Sequence, residues 1–338
     1  MKKKIAILGS TGSIGKTLLK IVKKDKNIKI ILLTANKNYK ELLKQAKFFK
    51  VKNIIITDLI SFNKALKINK NKNLNIYNNF EIFKKIFRNK IDYIMSSIVG
   101  LEGLYPTLEA IKHTSKIAIA NKESLVCGWN LIEDKSKKHK TEIIPIDSEH
   151  FSVWSLLEYR SIIQKKSINN KLIDEIYITA SGGPFKNYNL DKFKYIKPSD
   201  ATKHPNWKMG KKISVDSSTL MNKVFEVIEL QRLFKIDYKK IKVIIQPKSY
   251  IHAIIKFTDG TIKLLAHEPD MKVPIFNSIY NKKIVKKLKS KKINFEILNQ
   301  LNFTKIDKKK FPLIKLLYKL KPNISLFETA LTVANDQL

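Results

Sequence analysis

Cysteine is almost missing from this sequence, since Cys127 is the only one in 338 residues. A single cysteine excludes an internal disulfide and leaves no group of thiolates for a metal cluster. Long apolar runs are missing too, because the longest, such as IKIILLTA and IYITA, have the length of a strand and not of a membrane span. The start, MKKKIAILGSTGS, has a short apolar run before a Gly/Ser turn, which predicts a first strand and not a signal peptide. We therefore expect a cytoplasmic protein without a membrane partner.

Arginine is also scarce, although the chain is strongly basic. Lysine and arginine total 66 against 29 acidic residues, a net charge of +37, yet the only arginines are Arg88, Arg160 and Arg232. Lysine is spread along the whole chain, and its abundance together with asparagine and isoleucine is typical of A/T-rich coding. Arginine is the residue favoured for bidentate contacts to bases and phosphates. The composition therefore favours solvated lysine faces, which can steer an anionic substrate, over a nucleic-acid interface.

What the sequence does contain is a regular alternation of strand and helix patterns over the first 145 residues, from KKIAILG to KIAIAN. This alternation predicts a parallel, doubly wound sheet. Strand patterns then lie among longer helices, and a lysine-rich stretch precedes a tail with helical spacing. The predicted fold class is α/β, with a Rossmann-like domain over residues 1–147, a central α+β domain over 148–280, a linker over 281–307 and a partial C-terminal helical domain over 308–338.

A glycine turn, GSTGSIG, follows the first strand and opens a helix. Glycines permit close backbone approach to a dinucleotide, and the helix N-terminus attracts its pyrophosphate. The spacing differs from the commoner G-x-G-x-x-G, and an ordinary strand-to-helix loop is the alternative. The second strand ends in Ala35, Asn36, Lys37 and Asn38. A missing carboxylate and a nearby cation favour a 2′-phosphate, hence NADPH over NADH.

Two carboxylates stand in the segment IIPIDSEHFSVW, where Asp147 and Glu149 flank Ser148. At a strand end, i, i+2 spacing points both side chains to one side, which suits a hard divalent cation. A third ligand is available from VDSSTLMNKVFEVIEL, where Asn222 and Glu226 share one helix face. An exposed charge is the alternative interpretation of Glu226, and solvated loop charges that of the D-x-E pair.

Several polar groups predict a phosphate site. Asp216, Ser217 and Ser218 are expected to cap the helix that carries Asn222 and Lys223. Ser181 begins a Ser-Gly-Gly turn whose backbone N–H groups can bind an anion. The loop KHPNWKMGKKIS has the composition of a lid over a site, with Gly210 as its hinge. In ANKESLV, Lys122 and Glu123 face the cleft or form a surface pair.

Taken in order, these segments resemble one family closely, the 1-deoxy-D-xylulose 5-phosphate reductoisomerases of the non-mevalonate isoprenoid pathway. The matching motifs are GSTGSIG, ANKESLV, PIDSEH, TASGGPF, HPNWKMGKKISVDSSTLMNK and EPDMKVPI. The resemblance implies an NADPH-dependent oxidoreductase, a homodimer, that rearranges its phosphorylated substrate on a divalent ion and reduces it to 2-C-methyl-D-erythritol 4-phosphate. The ion would be Mg²⁺ or Mn²⁺, with Co²⁺ as an alternative.

The resemblance also implies the role of each site residue. The metal ligands would be Asp147, Glu149 and Glu226, which with Lys122 and His204 form the catalytic set. The cofactor residues would be Thr11, Gly12, Ser13, Ile14, Asn36, Lys37, Asn38, Asn121, Glu123 and Gly210. The substrate residues would be Lys122, Ser148, Glu149, Ser181, His204, Ser217, Asn222, Lys223 and Glu226, with Trp207 and Met209 on the closing lid.

Some positions depart from the family pattern. Asn36, Val224 and His267 stand where the family commonly has glycine. The end, ETALTVANDQL, resembles the middle of the family's C-terminal helical domain, so we expect either a fragment or a reduced bundle. Three alternatives follow: another NADPH-dependent oxidoreductase without metal-assisted rearrangement, an inactive truncated remnant, and a basic nucleic-acid-binding protein. The last leaves the glycine turn and PIDSEH without a role.

Overall fold

The larger of two sheets is built from seven parallel strands. A computed structural model describes residues 2–157, 170–207, 210–280, 288, 292–321 and 325–337. The strands are β1 Lys3–Leu8, β2 Ile28–Ala35, β3 Asn53–Ile56, β4 Asn75–Tyr77, β5 Tyr93–Ser96, β6 Lys116–Ile119 and β7 Glu142–Pro145. They lie in the order β4-β3-β2-β1-β5-β6-β7. The order reverses direction between β1 and β5, and such a switch point is where open α/β sheets bind their ligands.

Both faces of this sheet are buried. Ile5 and Ile7 of β1 belong to one apolar core, and Ala6 and Leu8 belong to the other, because successive strand residues point to opposite faces. Burial on two sides explains why these strands are almost continuously apolar. The connecting helices are α1 Ser13–Val22, α2 Tyr39–Phe48, α3 Leu59–Ile68, α4 Phe83–Ile86, α5 Leu104–Ile111 and α6 Lys122–His139.

The smaller sheet has four strands and a mixed topology. Its strands are β8 Ile173–Ala180, β9 Ile241–Ile245, β10 Ile251–Phe257 and β11 Ile262–Ala266, in the order β11-β10-β8-β9. β8 pairs in parallel with β9, while β10 is antiparallel to both of its neighbours. The remaining helices are α7 Ser148–Leu156, α8 Pro198–Ala201, α9 Lys211–Ser218, α10 Met221–Phe234, α11 Lys272–Ile279, α12 Phe295–Asn299 and α13 Ser325–Gln337.

Helix α10 lies at the centre of the molecule, and every residue in it except Asn222 is buried. It packs against α6, α7, α9 and the 3₁₀ helix Pro312–Lys319. One apolar core therefore runs from the larger sheet through α10 to the smaller sheet. Because α10 is enclosed, its charged side chains need partners inside the protein. These side chains are Lys223, Glu226, Glu229 and Arg232.

Helix α11 returns from the smaller sheet to the larger one and packs against α1. Its Ser278 hydroxyl lies 2.7 Å from the buried Tyr93 hydroxyl of β5. Ile275 and Ile279 of α11 belong to the same core as Ile5 and Ile7. The chain thus completes one face of its first sheet with a segment that comes more than a hundred residues later.

The predicted α/β class, with its doubly wound parallel sheet, is confirmed. Strand β4 is short and lies among asparagines, so no strand pattern marks it. In the segment FEIFKKIF, which has a helical pattern, the α-helix is confined to Phe83–Ile86. The boundaries at residues 147, 280 and 307 stay predictions, and residues 281–287 and 289–291 of the expected linker lie outside the described residues. Among those described, no helix combines the length and apolarity needed to cross a membrane.

Candidate active site

Asp147 and Glu149 lie at the junction between β7 and α7. β7 ends at Pro145 and α7 begins at Ser148, so the two carboxylates are not alternate residues of a strand end as the i, i+2 argument expected. Asp147 is the N-cap residue, but its side chain makes no capping hydrogen bond. Glu149 lies in the first turn and accepts a hydrogen bond from Ser148 Oγ at 2.6 Å. The helix start, and not strand alternation, brings these carboxylates together.

The third carboxylate comes from α10. One oxygen from each of Asp147, Glu149 and Glu226 lies within 4.8 Å of the others. Glu226 is only 1% exposed, which rules out the surface-charge alternative. Its partner along the helix, Asn222, donates its amide to Glu226 Oε1, as expected for i, i+4 neighbours.

Two lysines complete the group. Lys122, the first residue of α6, pairs with Asp147 and lies 3.5 Å from Glu226 Oε1. Lys223 Nζ lies 2.7 Å from Glu149 and 2.5 Å from Glu226. We call these five residues the carboxylate–lysine cluster. Lys122 is thus not half of a surface Lys–Glu pair, since its ammonium turns inward to the carboxylates.

Burial and charge set the protonation of the cluster. Burial opposes the charge on Lys223, but Glu149 and Glu226 raise the pKa of its ammonium above the usual range. Burial likewise opposes ionisation of Glu149, yet the Lys223 charge lowers the pKa of that carboxyl well below its normal value. For Glu226, burial and the charge of Glu149 raise the pKa. Three carboxylates facing two ammonium groups leave an excess of negative charge, and an all-oxygen donor set suits a hard divalent cation.

Behind the cluster lies a buried pair that sequence reasoning missed, His150 and Glu229. The His150 ring donates from Nε2 to the backbone carbonyl of Glu226 at 2.8 Å, and its Nδ1 lies 3.6 Å from Glu229. Burial lowers the pKa of His150 to about 3 and raises that of Glu229 to about 8, so both are mainly neutral at pH 7. Two features of the sequence could have indicated this pair. His150 directly follows Glu149, and Glu229 lies three residues after Glu226, on the same face of a helix.

Ser181, His204 and Ser217 lie close together at the Ser-Gly-Gly turn that begins at Ser181. His204 Nε2 lies 3.0 Å from Ser181 Oγ, while its Nδ1 accepts the backbone N–H groups of Asn206 and Trp207 at 3.2 and 2.9 Å. Nδ1 therefore carries no proton and Nε2 is the donor to Ser181. Burial and the charge of Lys223 lower the pKa of His204 to about 4, which keeps this tautomer neutral.

The Ser-Gly-Gly turn touches the end of α9. Gly182 and Gly183 have φ of +87° and +65°, and Gly183 N donates to Ser181 Oγ at 3.1 Å. A Cβ on Gly183 would lie 2.7 Å from the carbonyl oxygen of Ser217. The expected cap by Asp216, Ser217 and Ser218 is wrong, because these residues end α9. Helix α10 starts afresh after Leu220, whose φ of +62° turns the chain and whose side chain makes no cap.

The predicted cofactor turn connects β1 to α1. Gly9 has φ of +80°, and a Cβ there would lie 2.7 Å from the Ser97 carbonyl oxygen. Gly12 is the N-cap of α1 and, having no side chain, leaves the helix N-terminus uncapped. Thr11, Ser13 and Ile14 are exposed or partly exposed around it. The arrangement leaves backbone N–H groups open to an anion.

The other predicted cofactor residues lie on both sides of this turn. Asn36, Lys37 and Asn38 are exposed at the end of β2, where Asn36 donates to Thr57 Oγ1 and Asn38 caps α2. Asn121 is buried and caps α6 while its amide donates to the carbonyls of Ile98 and Gly100. It therefore fixes the loop after β5. Glu123 lies 3.9 Å from Lys212, and Gly210 is the exposed N-cap of α9.

The remaining residues clarify the predicted lid and the departures from the family pattern. Trp207 is partly exposed, with its ring centre 6.0 Å from that of His252, and Met209 lies outside the described residues. The His252 ring stacks on His267 at 3.8 Å, so a side chain fills the place of the usual glycine. Val224 is fully buried in the core of α10.

Comparison with known proteins gives consistent matches. Family models match three segments of the chain, those of 1-deoxy-D-xylulose 5-phosphate reductoisomerase over residues 5–128, of its C-terminal domain over 143–234, and of the DXP reductoisomerase C-terminal domain over 267–338. A 1-deoxy-D-xylulose 5-phosphate reductoisomerase of Pelagibacter ubique is 57% identical over 341 residues, which cover 99% of this chain and 85% of that relative. One of Clostridium tetani is 37% identical, with 99% and 86% covered.

Solved structures agree. A DOX-P reductoisomerase in complex with NADPH, fosmidomycin and magnesium has a TM-score of 0.89 and 32% identity, covering 99% of this chain and 83% of its own. The 1-deoxy-D-xylulose 5-phosphate reductoisomerase from Zymomonas mobilis in complex with NADPH has a TM-score of 0.83 and 31% identity, covering 94% and 81%. The likeness extends over both sheets and the helices between them.

Proposed function

This chain belongs to the 1-deoxy-D-xylulose 5-phosphate reductoisomerase family, and we propose that its reaction takes place at the carboxylate–lysine cluster. The enzyme converts 1-deoxy-D-xylulose 5-phosphate to 2-C-methyl-D-erythritol 4-phosphate and depends on NADPH and a divalent metal ion. One observation carries the assignment of the site. Carboxylates from the β7–α7 junction and from α10 converge within 4.8 Å, in a chain with more than twice as many basic as acidic residues.

The metal ligands in this proposal are Asp147, Glu149 and Glu226. An ion held there supplies Lewis-acid chemistry, polarising the substrate ketone and stabilising negative charge that develops on oxygen. The all-carboxylate donor set suits Mg²⁺ and Mn²⁺, with Co²⁺ as an alternative. Lys122 pairs with Asp147, and the charge of Lys223 lowers the pKa of Glu149 and so favours its ionised form. Their ammonium groups also supply N–H donors for substrate oxygens at the edge of the cluster.

NADPH binds, in this proposal, at the turn between β1 and α1. The uncapped N-terminus of α1, with Thr11, Gly12, Ser13 and Ile14, would hold the pyrophosphate. Lys37 at the end of β2 would pair with the 2′-phosphate, since Asn36 and Asn38 offer no carboxylate to a free ribose hydroxyl. Glu123 and Gly210 would border the nicotinamide end of the cleft.

The substrate phosphate would bind between the Ser181 turn and the start of α10. Ser181 and Ser217 supply hydroxyls, His204 supplies an oriented ring, and Asn222 and Lys223 supply N–H donors. Lys223 supplies the positive charge that attracts the phosphate. His204 is neutral at pH 7 and adds no charge to the site. Phosphate binding here supplies remote binding energy that can hold the reacting carbons against the cluster.

Metal-dependent NADPH oxidation with 1-deoxy-D-xylulose 5-phosphate tests the function directly. We expect absorbance loss at the NADPH band with Mg²⁺ or Mn²⁺, and none after EDTA treatment until metal is restored. Oxidation that survives EDTA would instead support a reductase without metal-assisted rearrangement. If folded protein shows no turnover with Mg²⁺, Mn²⁺ or Co²⁺, that result would support the inactive remnant. Salt-sensitive nucleic-acid binding without NADPH affinity would support the third alternative.

We also propose a homodimer in the cytoplasm. The family resemblance supports both, and one feature of the structure supports the dimer. β11 ends the smaller sheet and exposes its apolar Ile262 and Leu264, as edge strands that pair with another chain do. Light scattering after size-exclusion chromatography should give twice the chain mass of 39.2 kDa. A mass equal to one chain at micromolar concentration would contradict the dimer.

A further inference from the structure

Lys212, in the first turn of α9, faces carboxylates from three different helices. Its Nζ lies 3.2 Å from Asp336 of α13, 3.8 Å from Asp216 of α9 and 3.9 Å from Glu123 of α6. The side chains of Glu123 and Asp216 are largely shielded from solvent, at 12% and 10% exposure. Ion pairs that are partly buried and share a network are stronger than isolated surface pairs. Lys212 therefore ties α9 to α13 and α6.

Asn335 makes a second contact between the same two helices. Its amide donates to Asp216 Oδ1 at 3.0 Å. Asp216 is only 8% exposed, and a buried carboxylate without donors is costly. Asn335 and Asp336 are consecutive residues in the last turn of α13. Through them this turn contacts both Asp216 and Lys212 of α9.

The far end of α9 lies at the proposed phosphate site. Ser217 is there, and its carbonyl oxygen lies so close to Gly183 that a Cβ on that glycine would be 2.7 Å away. The distance between the Ser181 turn and the Ser217 hydroxyl therefore depends on where α9 sits. α9 has eight residues, so a tilt at Lys212 or Asp216 moves Ser217 directly.

Helix α13 has other anchors. Its Glu328 pairs with Arg232 of α10 at 3.1 Å, and the helix packs along α6. Glu328 precedes Asn335 by seven residues, about two helical turns or ~10 Å. Loss of the contacts at 335 and 336 should therefore release α9 while α13 stays docked.

We infer that Asn335 and Asp336 are positioning residues for the substrate phosphate, which act by holding Asp216 and Lys212 and so place Ser217 opposite the Ser181 turn. The inference rests on the proposed phosphate site. It assigns to α13 a part in substrate affinity in addition to its packing. Neither residue belongs to the proposed metal, cofactor or phosphate sites, so the chemical step itself should be little affected.

The test compares Asp336→Asn and Asn335→Ala with the wild-type enzyme. Losing a charge-assisted contact of this kind should raise KM for 1-deoxy-D-xylulose 5-phosphate by about tenfold. kcat and KM for NADPH should stay within about twofold, and the inhibition constant of inorganic phosphate should rise in parallel with the substrate KM. Asp336→Glu should restore most of the affinity. Asp134→Asn, at an exposed position of α6, is the matched control.

Lys212→Met removes the contact between α9 and Asp336 from the α9 side and guards against a folding defect in α13. Because Lys212 also lies 3.9 Å from Glu123 of the proposed cofactor site, only its KM for the substrate is compared. A substrate KM that stays at the wild-type value in all folded variants would overturn the inference. So would an equal rise in KM for the substrate and for NADPH in Asp336→Asn and Asn335→Ala, which would indicate a general loosening of the active site. A wild-type enzyme without metal-dependent turnover would instead overturn the proposed function, so the two failures are distinguishable.

Discussion

Asp147→Asn is expected to lower kcat/KM by about a thousandfold or more, because an amide oxygen would replace one charged ligand of the proposed metal site. The substitution keeps the shape of the side chain. Since Asp147 makes no capping hydrogen bond to α7, the helix start should survive it. Steady-state NADPH oxidation over a Mg²⁺ titration measures the effect, and a thermal melt checks the fold.

The control is again an aspartate-to-asparagine change at an exposed site, Asp134→Asn, which should leave the rate unchanged. If Asp147→Asn keeps its kcat/KM within tenfold of the wild type at every Mg²⁺ concentration, the carboxylate–lysine cluster is not the metal site. A rate that recovers only at high Mg²⁺ would support the assignment, since weakened metal affinity is what the loss of one anionic ligand produces.

Glu328→Ala is expected to cost about 3–5 kcal/mol of unfolding free energy. Glu328 is fully buried, pairs with Arg232 at 3.1 Å and accepts from the Tyr238 hydroxyl at 3.2 Å. Removing it leaves Arg232, a residue only 5% exposed, without its counter-charge. Urea denaturation followed by circular dichroism measures the loss.

The double variant Arg232→Met with Glu328→Met separates the charge effect from packing. Apolar replacement of a whole buried pair is often tolerated, so the double variant should regain much of what Glu328→Ala loses. A loss below about 1 kcal/mol for Glu328→Ala would show that the pair contributes little. A double variant as unstable as the single one would show that the two residues are not coupled.

The strands of the larger sheet and the glycine turn were predictable because they are local patterns. Ile5 to Leu8 read as a buried strand, and Gly9 to Gly15 read as a turn that needs glycine. β4 was not predictable, because its three residues take their conformation from pairing with β3. Local signals determine local structure, and edge strands depend on their neighbours.

The active site shows the same difference between what local sequence patterns predict and what depends on distant parts of the chain. Its residue types and order pointed to one family, but local spacing misjudged how they meet. Asp147 and Glu149 converge through a helix start, and Glu226 is buried because α10 is enclosed on every side. The contact between Lys212 and Asp336 joins residues more than a hundred positions apart. No pattern within a window of sequence could indicate it.

The return of α11 to the first sheet has a consequence for synthesis on the ribosome. A chain that emerges from its N-terminus presents all seven strands of that sheet long before Ile275 and Ile279 arrive. Until then the surface under α11 has no cover, and the Tyr93 hydroxyl lacks the Ser278 partner it has in the finished protein. The first sheet therefore cannot bury this face until α11 has been synthesised. An exposed apolar face of this kind is where chaperones act during translation.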